Sequence, residues 1–172
     1  PPVFISTVNP EVRVKVTTNL LRDYGYFNGK VAYETVVDKK DSLKAGIIYT
    51  VDMKNPYFID TVYYQRFTPQ TLRIMERGRR MSYISPGEQF NVVDLDEERS
   101  RISTLLRNLG YFYFRPDYMT YQADTTLVPG GHISLRLIPV PGLPAAAQRP
   151  YYVGDASVYL FGKNGEAPND SM

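Results

Sequence analysis

The sequence predicts an α+β fold made of tandem copies of one small unit, β-α-α-β-β, with two helices packed on a three-stranded mixed sheet. Three observations lead there. Leu20-Leu21-Arg22-Asp23-Tyr24-Gly25-Tyr26-Phe27 recurs as Leu105-Leu106-Arg107-Asn108-Leu109-Gly110-Tyr111-Phe112, with six of eight positions identical at an offset of 85. Apolar residues recur every three or four positions before each Gly-Tyr-Phe and every second position after it, a change from helix to strand. The 12 glycines, 13 prolines, 15 tyrosines and 8 phenylalanines favour strands and turns over a helical bundle.

The elements follow in order. Asn9-Pro10-Glu11 supplies a helix cap, a first-turn proline and an acid. Val12, Val16, Leu20, Leu21 and Tyr24 form the apolar stripe of that helix, and Gly25 ends it. Lys30, Val31, Tyr33 and Thr35 lie in a strand over 30–37, a turn occupies 38–42, and a second strand covers 45–53. A new strand spans 56–65; Thr68-Pro69 caps a short helix that stops at Gly78, and Pro86-Gly87 turns the chain. Asp94, with Glu97 three residues on, reads as the capping box of the second long helix. Its stripe is Leu95, Ile102, Leu105, Leu106 and Leu109, and Gly110 ends it. Ile102, Leu105, Leu106, Leu109 and Phe112 are the expected core. Strands over 113–123 and 132–138 flank a turn at 124–131. Pro150-Tyr151-Tyr152-Val153 echoes Pro56-Tyr57-Phe58-Ile59 at an offset of 94 and opens another strand. Residues 1–55 therefore read as a unit without its first strand, 56–149 as a complete unit, and 150–172 as the first strand of a third.

Composition excludes several functions. Hydrophobic residues at 43% and charged ones at 22% describe a globular chain. A net charge of +2 asks for no polyanion. Without cysteine there is no disulfide framework, thiol nucleophile or thiolate metal site. His132, the only histidine, opens a strand with no triad partners in view, so neither an enzyme nor a cofactor is expected. Asp94, Asp96, Glu97 and Glu98 suit the positive end of a helix dipole better than a metal. Tyr26, Phe27, Tyr111 and Phe112 read as packing aromatics rather than base-stacking ones. Arg66, Arg73, Arg77, Arg79 and Arg80 form the one basic cluster, either a contact surface for anionic lipid or a partner, or a solvated helix end. The opening Pro1-Pro2, with no Met and no leader pattern, reads as part of a longer protein.

Gly87-x-x-Phe90, Leu95, Arg99, Ile102, Leu106 and Gly110-Tyr111-Phe112, set in a β-α-α-β-β order, resemble a POTRA domain. The pattern is most similar to the POTRA region of outer-membrane β-barrel assembly proteins of the BamA/TamA or surface-antigen type. Residues 101–114 and Asp124-Thr125-Thr126 look like the Bacteroidota branch, some of whose members are lipoproteins. The resemblance implies a non-enzymatic interaction module on the periplasmic side of the bacterial outer membrane, in a longer membrane-anchored protein. Its implied partners are unfolded outer-membrane proteins, assembly-complex subunits and a membrane barrel in the same parent chain. The two-partner secretion transporter, which also carries POTRA units, is the rival within this class. A KH-like or double-stranded-RNA-binding domain is the rival from another class. It needs a G-x-x-G clamp or a Lys-rich helix start, and Ser85-Pro86-Gly87-Glu88 supplies neither, so no nucleic acid is expected.

The residues themselves suggest how such a module would bind. Lys30, Val31, Tyr33 and Thr35 lie in one outer strand, and Tyr113, Tyr118, Met119, Thr120, Tyr121, Gln122 and Ala123 in the other. An open strand edge accepts an extended segment mainly through its backbone, with little demand on sequence. Pro116 removes one donor, which concentrates pairing over 118–123.

Overall fold

In this computed structural model, residues 7–39 and 44–158 are described. The elements run α1 (Pro10–Asp23), β1 (Lys30–Val37), β2 (Ala45–Asp52), β3 (Phe58–Tyr64), α2 (Pro69–Arg77), α3 (Val92–Asn108), β4 (Met119–Asp124) and β5 (His132–Pro139). Short 3-10 turns lie at Arg79–Met81, Pro116–Tyr118 and Ala145–Gln148. β1 and β2 pair antiparallel as a two-stranded sheet. The second sheet is mixed, with the order β3-β5-β4; β5 is parallel to β3 and antiparallel to β4. From β3 onward this is the expected β-α-α-β-β fold.

Helix ends are set by local chemistry. Thr68 caps α2 by accepting the Thr71 N–H at 3.3 Å, as its sequence suggests. The cap of α3 is Asn91, not Asp94. Asn91 Oδ1 accepts the Val93 N–H at 2.9 Å, so the helix begins three residues earlier and Asp94 sits in its first turn. Both residue types cap well, and Asn91 has the extended backbone a cap needs. Gly25 and Gly110 end α1 and α3 with φ of +84° and +93°. In each copy the N–H one residue beyond the glycine closes back on the helix: Tyr26 to Leu21 O at 2.8 Å, Tyr111 to Leu106 O at 3.1 Å.

The core lies between α2, α3 and the mixed sheet. Ile59 and Val62 of β3, Leu135 and Leu137 of β5, and Met119 of β4 meet Met75, Leu95, Ile102 and Leu106. Tyr111 and Phe114 are buried beside them. Leu109 and Phe112, expected inside, are 50% and 63% exposed. The left-handed turn at Gly110 sends Tyr111 inward and leaves its neighbours on the surface. The strand expected over 113–123 starts only at Met119, because Pro116–Tyr118 form a 3-10 turn. Residues 150–158 contain no regular strand, and 159–172 lie outside the described residues. Of the α1 stripe, Leu21 is buried, while Val12, Val16 and Leu20 are each more than half exposed.

Leu106→Ala is expected to cost about 2–5 kcal/mol, since its site is closed on all sides. Leu109→Ala is expected to stay within about 0.5 kcal/mol. Urea titration of both variants measures the contrast.

Candidate strand-addition site

β4 is an outer strand of its sheet, and its hydrogen-bonding parity decides which groups face outward. Val140 N–H donates to Tyr118 O at 3.0 Å, which turns Tyr118 toward β5. Alternate residues follow that direction, so the backbone groups of Thr120, Gln122 and Asp124 pair with Ile138, Arg136 and Ser134. The backbone groups of Met119, Tyr121 and Ala123 point away from the sheet. Arg99 Nη1 occupies the first outward carbonyl, Met119 O, at 3.2 Å. The N–H and C=O of Tyr121 and Ala123 remain as the open row.

The opposite edge is occupied along part of its length. Ile59 N–H donates to Glu88 O, and Gly87 N–H donates to Ile59 O, both at 2.7 Å. Further along β3, Arg79 Nη1 donates to Val62 O at 2.9 Å. The stretch between the two helices thus lies along β3. β4 therefore offers the less occupied edge of the mixed sheet among the described residues.

The predicted residues separate by role. Tyr113 lies in the loop before β4, its ring edge-on to Tyr151 at 5.1 Å. Tyr118 is in the 3-10 turn. In β1, Asp38 N–H donates to Lys44 O at 2.8 Å, so parity turns Lys30 toward β2 and turns Val31, Tyr33 and Thr35 outward. The Tyr121 side chain packs against the core, and burial raises its phenol pKa. The Ala123 side chain is exposed. Ala123 is therefore the position where the backbone can be altered without emptying the core.

Arg79 does not share the surroundings of its basic neighbours. It holds Glu76 through two bonds at 2.7 and 2.8 Å and lies 4.4 Å over the Tyr64 ring. Arg66, Arg73, Arg77 and Arg80 are exposed. Arg73 and Arg77, four apart on α2, share a helix face. His132 stands at the start of β5 with Nδ1 3.3 Å from Gly130 O. Among the described residues, no group of three or more His, Cys, Asp or Glu side chains converges.

A polar centre that no sequence motif announces lies between α3 and β3. Glu98 is fully buried. Its Oε1 accepts from Tyr64 Oη at 2.9 Å and Arg101 Nη2 at 2.6 Å; its Oε2 accepts from Arg101 Nε at 2.8 Å and Tyr83 N at 3.0 Å. Arg101 Nη1 also donates to Gly78 O at 3.1 Å. Burial pushes the Glu98 pKa up, but the Arg101 and Tyr83 hydrogen bonds outweigh it and leave the carboxyl below its ordinary value. Burial and the Glu98 charge push Tyr64 up to about 12. This network joins β3, α3 and the connection after α2.

No family model and no curated protein matches the chain. Solved structures do resemble it. The crystal structure of Haemophilus influenzae BamA POTRA3-5 is 12% identical with a TM-score of 0.48, over 78% of this chain and 51% of that one. BamA from Haemophilus ducreyi lacking POTRA domains 1-3 is 13% identical with a TM-score of 0.46, over 80% of this chain and 23% of that one. The chain spans about half the length of the first and under a quarter of the second.

The Glu98 network sets a pH dependence. A carboxyl lowered on folding stabilises the protein fully above its ordinary value of 4.5, and that stability is lost as pH falls through the folded value. Glu98→Ala is expected to cost about 3–5 kcal/mol at pH 7, because Arg101 is left without its partner. It is also expected to show a shallower acid decline than wild type. Denaturant titrations from pH 7 to pH 3 measure both.

Proposed function

We propose that this protein is a periplasmic interaction module of an outer-membrane protein assembly or translocation factor, and that it binds client or partner segments by strand addition on β4. The observation that carries this is the asymmetry of the mixed sheet. On β3, residues 87–88 and Arg79 occupy the outward groups of Ile59 and the Val62 carbonyl, whereas β4 presents Tyr121 and Ala123 with their backbone donors and acceptors outward. An extended segment laid there gains main-chain hydrogen bonds whatever its sequence. Unfolded barrel proteins, which share strand-forming propensity rather than a motif, are suitable clients. The POTRA-like spacing around Gly87-x-x-Phe90 and Gly110-Tyr111-Phe112 supports the setting. The outward residues Val31, Tyr33 and Thr35 of β1 form a second edge of the same kind.

Ala123→Pro removes an outward N–H without breaking a bond to β5. It is expected to weaken binding of an unfolded outer-membrane barrel protein by about tenfold, whereas Ala123→Val is expected to stay within about threefold. Fluorescence anisotropy measures the binding, and circular dichroism checks the fold. In cells carrying the parent protein, the proline variant is expected to lower outer-membrane protein levels. Equal binding and equal levels for the two variants would remove β4 from the mechanism.

A further inference from the structure

We infer that the end of α3, at Gly110 and Phe112, is the seat for a third unit of the same design, entered through Tyr151 and presenting a Gly-x-x-Phe loop to Phe112. The chain holds the template for this seat at the end of α1. There Tyr57 N–H donates to Gly25 O at 2.9 Å, and Phe90 N–H donates to Tyr57 O at 2.9 Å. The Phe27 ring meets Tyr57 and Phe90, each at 5.1 Å between centroids. Phe90 closes the Gly87-x-x-Phe90 loop of the following unit.

The same parts stand at the end of α3, up to the point where a following unit would enter. Tyr151 N–H donates to Gly110 O at 2.7 Å. Both glycines are held to glycine for two reasons, positive φ and a backbone laid against them. A Cβ on Gly25 would lie 2.9 Å from Phe90 O, and one on Gly110 2.8 Å from Tyr151 O. The parallel then stops. Phe27 is half-buried under Phe90, while its counterpart Phe112 is 63% exposed. Ile59, two residues after Tyr57, is 1% exposed in a core; Val153, two residues after Tyr151, is 90% exposed. A third unit accounts for both exposures at once. Its loop phenylalanine covers Phe112, and its own core takes Val153.

The chain has no cysteine, so introduced pairs react without background. The test joins a copy of residues 58–149 directly after Tyr151, in place of residues 152–172. A short bis-alkylating thiol reagent is then applied to two double variants. Phe27→Cys with Phe90→Cys reports the known seat. Phe112→Cys, with cysteine replacing the appended copy's loop phenylalanine, reports the proposed one. The two cross-linking rates are expected to agree within about threefold, and Gly110→Val is expected to slow only the second by about tenfold. A Phe112 pair about tenfold slower than the Phe27 pair without that substitution would overturn the inference. So would an appended copy that stays unfolded by amide exchange, since the same sequence folds when entered through Tyr57.

Discussion

The position of β5 in the middle of the mixed sheet determines most of what this protein presents to its surroundings. β5 takes β3 on one side, in parallel, and β4 on the other, antiparallel. The connection through α2 and α3 puts both helices over one face and buries Ile102 and Leu106 against Leu135 and Leu137. β4 is then outermost. Its outward bonding groups follow from the two-residue period of a strand, once Tyr118 O is committed to Val140.

An exposed row of bonding groups is a liability, and this sheet handles its two edges differently. On β3, backbone from residues 87–88 and the Arg79 guanidinium occupy outward groups. On β4, Arg99 occupies only the first carbonyl. Polar and apolar contacts tie the sheet to the helices. Glu98 ties Tyr64 and Tyr83 to α3, and Tyr121 anchors β4 from the core side.

The parts of the fold that the sequence disclosed are those set by local chemistry. Gly25 and Gly110 ended their helices because a left-handed turn favours glycine, and Thr68 capped α2 through its own hydroxyl. The misreadings had local look-alikes. Asp94 and Asn91 are both good caps, and the strand-like pattern over 113–123 runs across a 3-10 turn. Glu98 was illegible because its burial depends on Tyr64 and Tyr83, 34 and 15 residues away. The residues of β4 were found, but apolar alternation reports which face a side chain takes. It is silent on which N–H points outward, and only the pairing register separates Tyr121 and Ala123 from Thr120 and Gln122.

The most direct measurement is residue-resolved amide hydrogen exchange along β4, with and without an added extended peptide from a barrel-forming protein. In the free protein, Thr120, Gln122 and Asp124 should be protected by β5, while Tyr121 and Ala123 exchange quickly. Added peptide should slow Tyr121 and Ala123 and leave the other three unchanged. Protection gained elsewhere, with Tyr121 and Ala123 still exchanging at their free rates under saturating peptide, would contradict strand addition at β4.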